Sequence, residues 1–208
     1  MKATRLPYWL KKTLPAHSGF NETYNLLKKN KLNTVCESAK CPNIADCYSL
    51  KTATFLILGN ICTRNCLFCN IKHGKALRVD DKESDSILNT VTALKLNYVV
   101  ITSVTRDDLN DGGASHFVNV VKKLREKAGL RIELLTPDFN GSEEAVKKVV
   151  DLKPDVYGHN IETVSRLYKV IRPKSNYEMS LKLLNIVKVL NCEMTTKSGF
   201  MLGLGEKK

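Results

Sequence analysis

The sequence predicts an α/β protein: a partial (β/α) barrel of parallel strands with a cysteine-rich N-terminal extension. Short apolar runs alternate with amphipathic helical segments, an order typical of right-handed βαβ units and a parallel sheet. The apolar runs show no polar alternation, as expected for strands covered on both faces. Polar residues stand at the carboxyl ends of the runs, where barrels hold their active sites, and this favours a barrel over a doubly wound sheet.

The N-terminal part reads as a basic extension that precedes the barrel. Residues 1–35 contain one short helical piece near 21–30, and residues 36–50 are dense in cysteine and poor in periodicity. The first strand is the apolar run 55–58, which ends at Gly59 and leads into a cysteine-rich loop. We therefore assign residues 1–50 to the extension and residues 51–208 to the barrel, with five of six βα units present.

The remaining elements alternate between helix and strand. Residues Phe117, Val120, Val121 and Leu124 recur at helical spacing, and Ser142 is placed to cap the next helix. In chain order we predict helix 85–96, strand 98–103, helix 115–127, strand 131–136, a helix after Ser142, strand 156–162, helices 164–171 and 177–190, and strand 195–204.

Composition excludes several classes of protein. The 208 residues are 43% apolar and 26% charged, which are values of globular chains and not of disordered ones. No run of 18 apolar residues is present, and the start of the chain lacks the apolar core of a secretory signal. We expect a cytoplasmic protein, where seven cysteines serve as metal ligands or catalysts in preference to disulfides.

The net charge of +12 has two explanations. Lysine outnumbers arginine 25 to 8, as an AT-rich genome would impose, and this accounts for most of the excess. The functional alternative is an acidic partner, because residues 1–35 carry seven basic side chains against the single acid Glu22. Aromatic residues are not interleaved with the basic ones, so nucleic acid is disfavoured and a docked acidic protein fits at least as well.

Three cysteines with the spacing C-x3-C-x2-C follow the first strand: Cys62, Cys66 and Cys69. One tight loop can present these thiolates to a single [4Fe–4S] cluster, which normally takes four, so one iron stays open to a small molecule. Structural zinc requires four closed ligands, and the loop holds no fourth.

A second group of three precedes it, Cys36, Cys41 and Cys47, again in a predicted loop. Alone it is a weaker signal, and a zinc site with a distant fourth ligand is an alternative. Cys192 stands apart and is expected to be a packing cysteine.

The C-x3-C-x2-C loop after the first strand resembles the radical S-adenosylmethionine (SAM) superfamily. The additional upstream C-x4-C-x5-C resembles the lipoyl synthase family within it. Further stretches agree with that family over residues 6–206: TVCESAKCPN, CTRNCLFC, VTRDDLNDGGA, LTPDFNG, HNIETVSRLYKVIRP and TKSGFMLGLGE.

The resemblance implies a ligand set and a reaction. Cys62, Cys66 and Cys69 would hold the [4Fe–4S] cluster that binds and cleaves SAM, with Phe68 against the adenine. Cys36, Cys41 and Cys47 would hold a second [4Fe–4S] cluster, the source of two sulfur atoms. The 5'-deoxyadenosyl radical would remove hydrogen from C6 and C8 of a protein-bound octanoyl chain, and sulfur would enter at both carbons.

The resemblance also implies partners. These are octanoylated lipoyl carrier domains (2-oxoacid dehydrogenase E2 subunits and the glycine cleavage H protein) and an electron donor such as flavodoxin or ferredoxin. Membranes are not among them.

Several polar residues are candidates for contact with SAM. We assign Ser103, Asn160 and Glu162 to the SAM side, with ordinary polar strand ends and helix caps as the alternative. His159 is expected to be a hydrogen-bonded structural residue. The charged side chains of Arg106, Asp107 and Asp108 could equally stabilise their loop.

One part of the family pattern is missing. The second cluster of the family takes a fourth ligand from a serine in an Arg-Ser-Ser-Tyr stretch, which this sequence lacks. We expect a missing sixth βα unit, weakened sulfur insertion with SAM cleavage retained, and poor solubility from an exposed edge strand. The alternatives are another radical SAM enzyme, one that thiolates RNA or makes biotin, and a zinc-stabilised basic module that binds nucleic acid.

Overall fold

A computed structural model of the chain describes residues 18–207. Five parallel strands form one sheet in the order β1-β4-β5-β6-β7, and two short strands form a separate parallel pair. The strands are β1 (Thr54–Ile57), β2 (Ile61–Cys62), β3 (Lys72–His73), β4 (Tyr98–Ser103), β5 (Arg131–Leu135), β6 (Val156–Gly158) and β7 (Thr196–Lys197). The sheet is the parallel α/β architecture that the sequence predicts.

In the described part of the chain, three helices precede β1, and the later ones connect successive strands of the sheet. The helices are α1 (Ser18–Lys29), α2 (Val35–Ser38), α3 (Ile44–Ser49), α4 (Glu83–Ala93), α5 (Ala114–Leu124), α6 (Glu143–Val150), α7 (Tyr168–Ile171) and α8 (Tyr177–Leu190). Short 3₁₀ turns lie at Phe139–Gly141 and Ser165–Leu167. Within residues 18–207, no helix combines the length and the apolar character needed to cross a bilayer.

The core lies between the sheet and the helices. The predicted apolar stripe of α5 is fully buried, and each such side chain contributes about 1.5–3 kcal/mol by leaving water. Phe117 of this stripe meets Phe139 edge to face, with 5.9 Å between ring centroids. The predicted cap is confirmed, since the Ala145 N–H donates to Ser142 Oγ at 3.2 Å.

The described part of the extension, residues 18–50, folds onto β1 through buried polar contacts. Thr23 Oγ1 donates to the Tyr48 carbonyl at 2.8 Å, which ties α1 to α3. The hydroxyls of Thr34 and Tyr48 are 2.8 Å apart, and Thr34 forms an antiparallel bridge with Phe55. The basic residues of segment 1–17 lie outside the described residues.

Three predictions of local structure were wrong. The cysteine-rich stretch 36–50 is not a loop throughout, because Thr34 caps α2 and Tyr48 anchors α3 in the core. The predicted strand 156–162 ends at Gly158, and Glu162 adopts a left-handed conformation with φ of 69°. The predicted strand 195–204 is reduced to β7, followed by an isolated bridge between Phe200 and Glu162.

The C-terminal helices differ in smaller ways. The predicted helix 164–171 divides into a 3₁₀ turn and α7, whereas α8 matches its prediction residue for residue. Cys192 is exposed rather than packed, because it follows the end of α8 at the surface, with Sγ 3.6 Å from Glu193 Oε1. Among residues 18–207, no strand pairs with the outer edge of β7. Poor solubility stays a prediction.

Candidate functional site

The carboxyl ends of the strands bring the predicted SAM-side residues together. The sheet register places Leu56, Thr102 and Leu135 side by side on three adjacent strands. These side chains form one wall of a cavity of about 280 Å³. All four predicted cofactor-binding residues line this cavity, together with one cysteine of the loop: Phe68, Cys69, Ser103, Asn160 and Glu162.

The same strand ends form a second, smaller cavity of about 130 Å³. It shares Ser103, Asn160 and Glu162 with the first and adds Arg172. Two buried atoms here, Ser103 Oγ and Arg172 Nε, have no hydrogen-bond partner among the described residues. A buried polar atom left unpaired costs about 1–3 kcal/mol, so both atoms suit a bound polar or anionic group. The site therefore suits a ligand that carries a carboxylate and hydroxyl groups, as SAM does with its carboxylate and two ribose hydroxyls.

The loop that carries Cys62, Cys66 and Cys69 is closed at its base. Cys62 in β2 pairs with His73 in β3, and the Gly74 N–H donates to the Cys62 carbonyl at 2.9 Å. Inside the loop, the Cys69 N–H donates to the Cys66 carbonyl at 3.0 Å. Beginning and end of the loop thus lie at one place, directly beyond β1.

The three thiols of this loop influence one another. Burial raises the pKa of Cys66, and negative charge on Cys62 and Cys69 raises it further. Arg172 opposes this with a hydrogen bond and its positive charge. Burial likewise raises the pKa of Cys69, with Cys62 and Glu162 adding to the effect. Three thiols this close repel one another as thiolates, and a bound cationic iron centre removes that repulsion.

The upstream cysteines also converge. Cys36 lies buried in α2, Cys47 lies in α3, and Cys41 lies in the turn between these helices. The Cys41 N–H donates to the Cys36 carbonyl at 2.9 Å. Burial raises the pKa of Cys36, and charge on Cys41 and Cys47 raises it further. The chain thus presents two separate clusters of three thiols.

The described residues form no ready-made site for a single metal ion. Among residues 18–207, no three His, Cys, Asp or Glu side chains converge on one point as ligands of a single metal would. A zinc ion gathers thiolates at about 2.3 Å. A [4Fe–4S] cluster binds each thiolate at a different corner and so keeps them further apart.

His159 has the structural role that the sequence suggests. Its Nδ1 lies 2.9 Å from the Thr136 carbonyl oxygen, and its Nε2 lies 3.0 Å from Ser180 Oγ. Burial lowers the pKa of His159, which favours the neutral ring.

Glu162 is the acid of the cavity. Burial raises its pKa, while a hydrogen bond from Asn160 and the charge of Arg172 oppose the shift. Asn160 and Arg172 offset the desolvation cost of the Glu162 carboxylate, which can then accept hydrogen bonds from a ligand.

The remaining candidate charges are bound to each other. Arg106 donates to both carboxylate oxygens of Asp108 at 2.8 Å and to the Leu58 carbonyl at 3.2 Å. Asp107 forms an ion pair with Arg64 of the cysteine loop. All three charges therefore have partners: Arg106 and Asp108 bind each other, and Asp107 binds the cysteine loop.

Arg172 was missed by the sequence analysis. Its Nη1 donates to the Tyr168 hydroxyl at 2.7 Å and to the Asn160 carbonyl at 3.2 Å. Pro173 excludes helical geometry at the preceding residue, so α7 ends here and Arg172 turns toward Cys66. The sequence did contain a signal for this residue, since Arg172-Pro173 directly follows the predicted helix 164–171 and marks a turn there.

Comparisons with protein families and solved structures agree with this geometry. The family model described as the radical SAM superfamily matches residues 56–208, and the N-terminal domain of lipoyl synthase matches residues 1–41. Among solved structures, the FeFe-hydrogenase maturase HydG from Carboxydothermus hydrogenoformans is similar at TM-score 0.60 and 16% identity, over 73% of this chain and 36% of its own. Methylornithine synthase (PylB) is similar at TM-score 0.58 and 16% identity, over 94% of this chain and 58% of its own.

Curated relatives are far more similar in sequence. Lipoyl synthase of Caldicellulosiruptor saccharolyticus is 52% identical over all of this chain and 73% of its own length. Lipoyl synthase of Alkaliphilus metalliredigens is 52% identical over 99% of this chain and 71% of its own. The motifs, the fold and this identity lead to one conclusion: the chain belongs to the lipoyl synthase family of the radical SAM superfamily.

Proposed function

We propose that this chain inserts two sulfur atoms, at C6 and C8, into a protein-bound octanoyl chain. The observation that carries the proposal is the position of the 280 Å³ cavity between the two groups of cysteines. Val35 and Ala39 of the upstream cysteine segment line it on one side, and Phe68 and Cys69 of the loop line it on the other. Residues from both cysteine segments therefore meet at one cavity.

Cys62, Cys66 and Cys69 are the residues that would hold the SAM-binding [4Fe–4S] cluster. Three thiolates fill three corners and leave one iron free for SAM. When bound, the cluster and SAM together supply the radical chemistry that breaks unactivated C–H bonds, and the protein's part is to bind and orient.

Four side chains of the cavity are assigned to SAM. Phe68 is 36% exposed and offers a flat apolar face to the adenine. Ser103 Oγ and the amide of Asn160 supply hydrogen bonds to polar groups, and the Glu162 carboxylate accepts bonds from hydroxyls or from the ammonium group. Arg172, whose Nε is unpartnered, is added as the partner of the SAM carboxylate.

Cys36, Cys41 and Cys47 are assigned to the second [4Fe–4S] cluster. In this proposal α2 and α3 place that cluster on the side of the cavity opposite the SAM loop. The apolar side chains Val35, Leu56 and Leu135 line the space between and favour a hydrocarbon chain over water.

The proposed partners follow from the substrate. The octanoyl chain is carried on a lysine of a lipoyl carrier domain, such as an E2 subunit of a 2-oxoacid dehydrogenase or the glycine cleavage H protein. The net charge of +12 favours encounter with acidic carriers and acts mainly on the association rate. A low-potential protein such as flavodoxin or ferredoxin would supply electrons.

The test is anaerobic reconstitution of the full chain with iron and sulfide. We expect about eight iron atoms per chain, two clusters of four, with matching sulfide. SAM and a strong reductant should then give 5'-deoxyadenosine, and an octanoylated carrier should give lipoyl product in the weakened yield that the sequence predicts. The two products are assayed separately, because SAM cleavage and sulfur insertion depend on different clusters.

The outcomes distinguish the alternatives. Colourless protein that binds zinc and no iron would support the basic zinc module and refute the proposal. Iron-loaded protein that cleaves SAM only when RNA is supplied would point to RNA thiolation.

A further inference from the structure

Arg64 lies inside the C-x3-C-x2-C loop, two residues after Cys62, yet its side chain points away from the thiols into a buried cluster of oxygens. Only 5% of the side chain is exposed. Nε and Nη2 form a bidentate pair with Asp107, at 2.9 and 2.8 Å. Nη1 and Nη2 form a second bidentate pair with Asp138, at 2.6 and 2.7 Å.

Two neutral side chains complete the cluster. Nη2 of Arg64 lies 2.8 Å from Asn140 Oδ1, and Nη1 lies 3.2 Å from Ser175 Oγ. A guanidinium group has five N–H donors, and these acceptors engage all of them. No donor of Arg64 is therefore left for SAM or for a cluster, in contrast to Arg172 and its unpartnered Nε.

The acceptors come from three separate segments of the chain. Asp107 follows β4, Asp138 and Asn140 follow β5, and Ser175 precedes α8. The planar fork of an arginine fixes orientation as well as distance, which a lysine cannot do. One side chain thus joins the cysteine loop to three connections at the carboxyl end of the barrel.

Charge alone does not explain this arrangement. With two carboxylates around one guanidinium, these side chains carry one more negative than positive charge, so they do not attract a [4Fe–4S] cluster that is anionic once its thiolates are counted. Burying such a pair brings little stability, because the cost of desolvation offsets the attraction. The contribution of the Arg64 guanidinium is instead to fix the orientation of the groups that it bonds.

The geometry points to Arg64 as a positioning residue that holds Cys62 and Cys66 in place before any metal binds. Around it, the Thr63 N–H donates to the Thr105 carbonyl at 3.1 Å, and the Leu67 N–H donates to the Ile171 carbonyl at 2.9 Å. These two amides report the order of the loop. A loop ordered in advance binds its cluster without a further entropy cost.

The test compares the metal-free full chain with three variants: Arg64→Lys, Arg64→Gln and Arg106→Lys. Hydrogen exchange at the Thr63 and Leu67 amides is the readout, which is independent of cluster loading. Both Arg64 variants should exchange at least about tenfold faster at these amides, because local opening becomes easier. Arg106→Lys, which breaks the pair between the buried Arg106 and the half-exposed Asp108 outside the loop, should leave the Leu67 amide unchanged.

Cluster loading gives a second readout. Reconstituted Arg64→Lys should hold about four iron atoms instead of about eight, since only the upstream cysteines keep their order. Equal exchange in Arg64→Lys and the parent chain would overturn the inference, as would equal acceleration in Arg106→Lys. The proposed function can fail through absent iron without affecting the exchange result.

A milder variant covers the case in which Arg64→Gln does not fold. Asp107 is 28% exposed, so Asp107→Asn loosens one bidentate pair without leaving a fully buried charge. It should accelerate exchange at Thr63 while the core amides of β4 stay protected. Unchanged exchange at Thr63 in this variant would also contradict the inference.

Discussion

The backbone N–H of Leu67 donates to the carbonyl oxygen of Ile171 at 2.9 Å, so the cysteine loop and the end of α7 form one unit. Lys174 Nζ strengthens the connection by donating to the Thr63 carbonyl at 2.9 Å. Arg172 lies between these two contacts, and this fixes its guanidinium against Cys66. A residue that is distant in sequence thereby becomes part of the thiol site.

Arg172→Lys should weaken SAM binding to the reconstituted protein. Lysine keeps the charge but loses the buried Nε donor, and a hydrogen bond to a charged group contributes about 1.5–3 kcal/mol, or roughly tenfold to a hundredfold in Kd. Equilibrium dialysis with labelled SAM measures the change. The control is Arg166→Lys, an exposed arginine that donates to the Gly205 carbonyl and should bind SAM as the parent does.

Gly199→Ala should also weaken SAM binding, through Asn160. A Cβ at position 199 would lie 2.7 Å from Asn160 Oδ1, so the amide must move. The test compares the loss of SAM affinity in the single and double variants. Because Gly199→Ala acts through Asn160, Asn160→Ala combined with Gly199→Ala should bind SAM no more weakly than Asn160→Ala alone. Additive losses would show that Gly199→Ala acts elsewhere.

Asp138→Asn should reduce stability by about 1.5–3 kcal/mol at pH 7, because the hydrogen bonds from the Arg64 guanidinium lose an ionised acceptor while Asp107 still balances its charge. Burial acts to raise the pKa of Asp138, but hydrogen bonds and charge from Arg64 outweigh it and hold that pKa below its usual value. The stabilisation is present above the unfolded-state pKa, about 3.9 for Asp, and is lost as pH falls through the folded-state value.

Urea unfolding at several pH values tests this expectation. The difference between the parent chain and Asp138→Asn should shrink below pH 4. A difference that stays constant from pH 7 to pH 3 would assign the loss to packing and not to charge.

Glu162→Gln should stabilise the metal-free chain at pH 7 while weakening SAM binding. Burial raises the pKa of Glu162, so its stabilising contribution is complete below the unfolded-state pKa and is lost as pH rises through the folded-state value. The uncharged amide of the Glu162→Gln variant does not ionise, so the variant keeps this stability at higher pH. Thermal unfolding at pH 5 and pH 8 should show a larger gain in Tm at pH 8, and an equal gain at both would contradict the assignment.

The two groups of cysteines should separate into two phenotypes. Cys66→Ser should lower iron to about four atoms per chain and abolish 5'-deoxyadenosine formation, because only its loop binds SAM. Cys47→Ser should lower iron equally but retain SAM cleavage. Cys192→Ser, at an exposed position outside both groups, should leave iron and cleavage unchanged. Loss of SAM cleavage in Cys47→Ser would contradict the assignment of separate functions to the two groups of cysteines.

Elements with strong local signals were predictable from the sequence. β4 and α8 match their predicted bounds, since apolar runs and helical periodicity are properties of the segment itself. The helices α2 and α3 were missed because helices this short depend on contacts such as the one between Thr34 and Tyr48. Such a contact cannot be predicted from the local sequence pattern.

The site divides in the same way. The cysteines and the strand-end residues Ser103, Asn160 and Glu162 could be named, because parallel strands bring their carboxyl ends to one edge. Arg172 could not, since its place beside Cys66 depends on how α7 docks. The role of Arg64 was hidden for the same reason, because its acceptors are spread over three loops.

The pairing of β2 with β3 has a consequence for how this region tolerates change. Because Ile61–Cys62 and Lys72–His73 run side by side in the same direction, the segment between them departs and returns at neighbouring points. Residues can be inserted between these two points without displacing β2 and β3, provided that Arg64 and the Leu67 amide keep their partners. A graft that changes the spacing of the thiols but keeps Arg64 and the Leu67 amide should therefore leave the surrounding architecture intact, so the remaining positions of this segment are open to redesign.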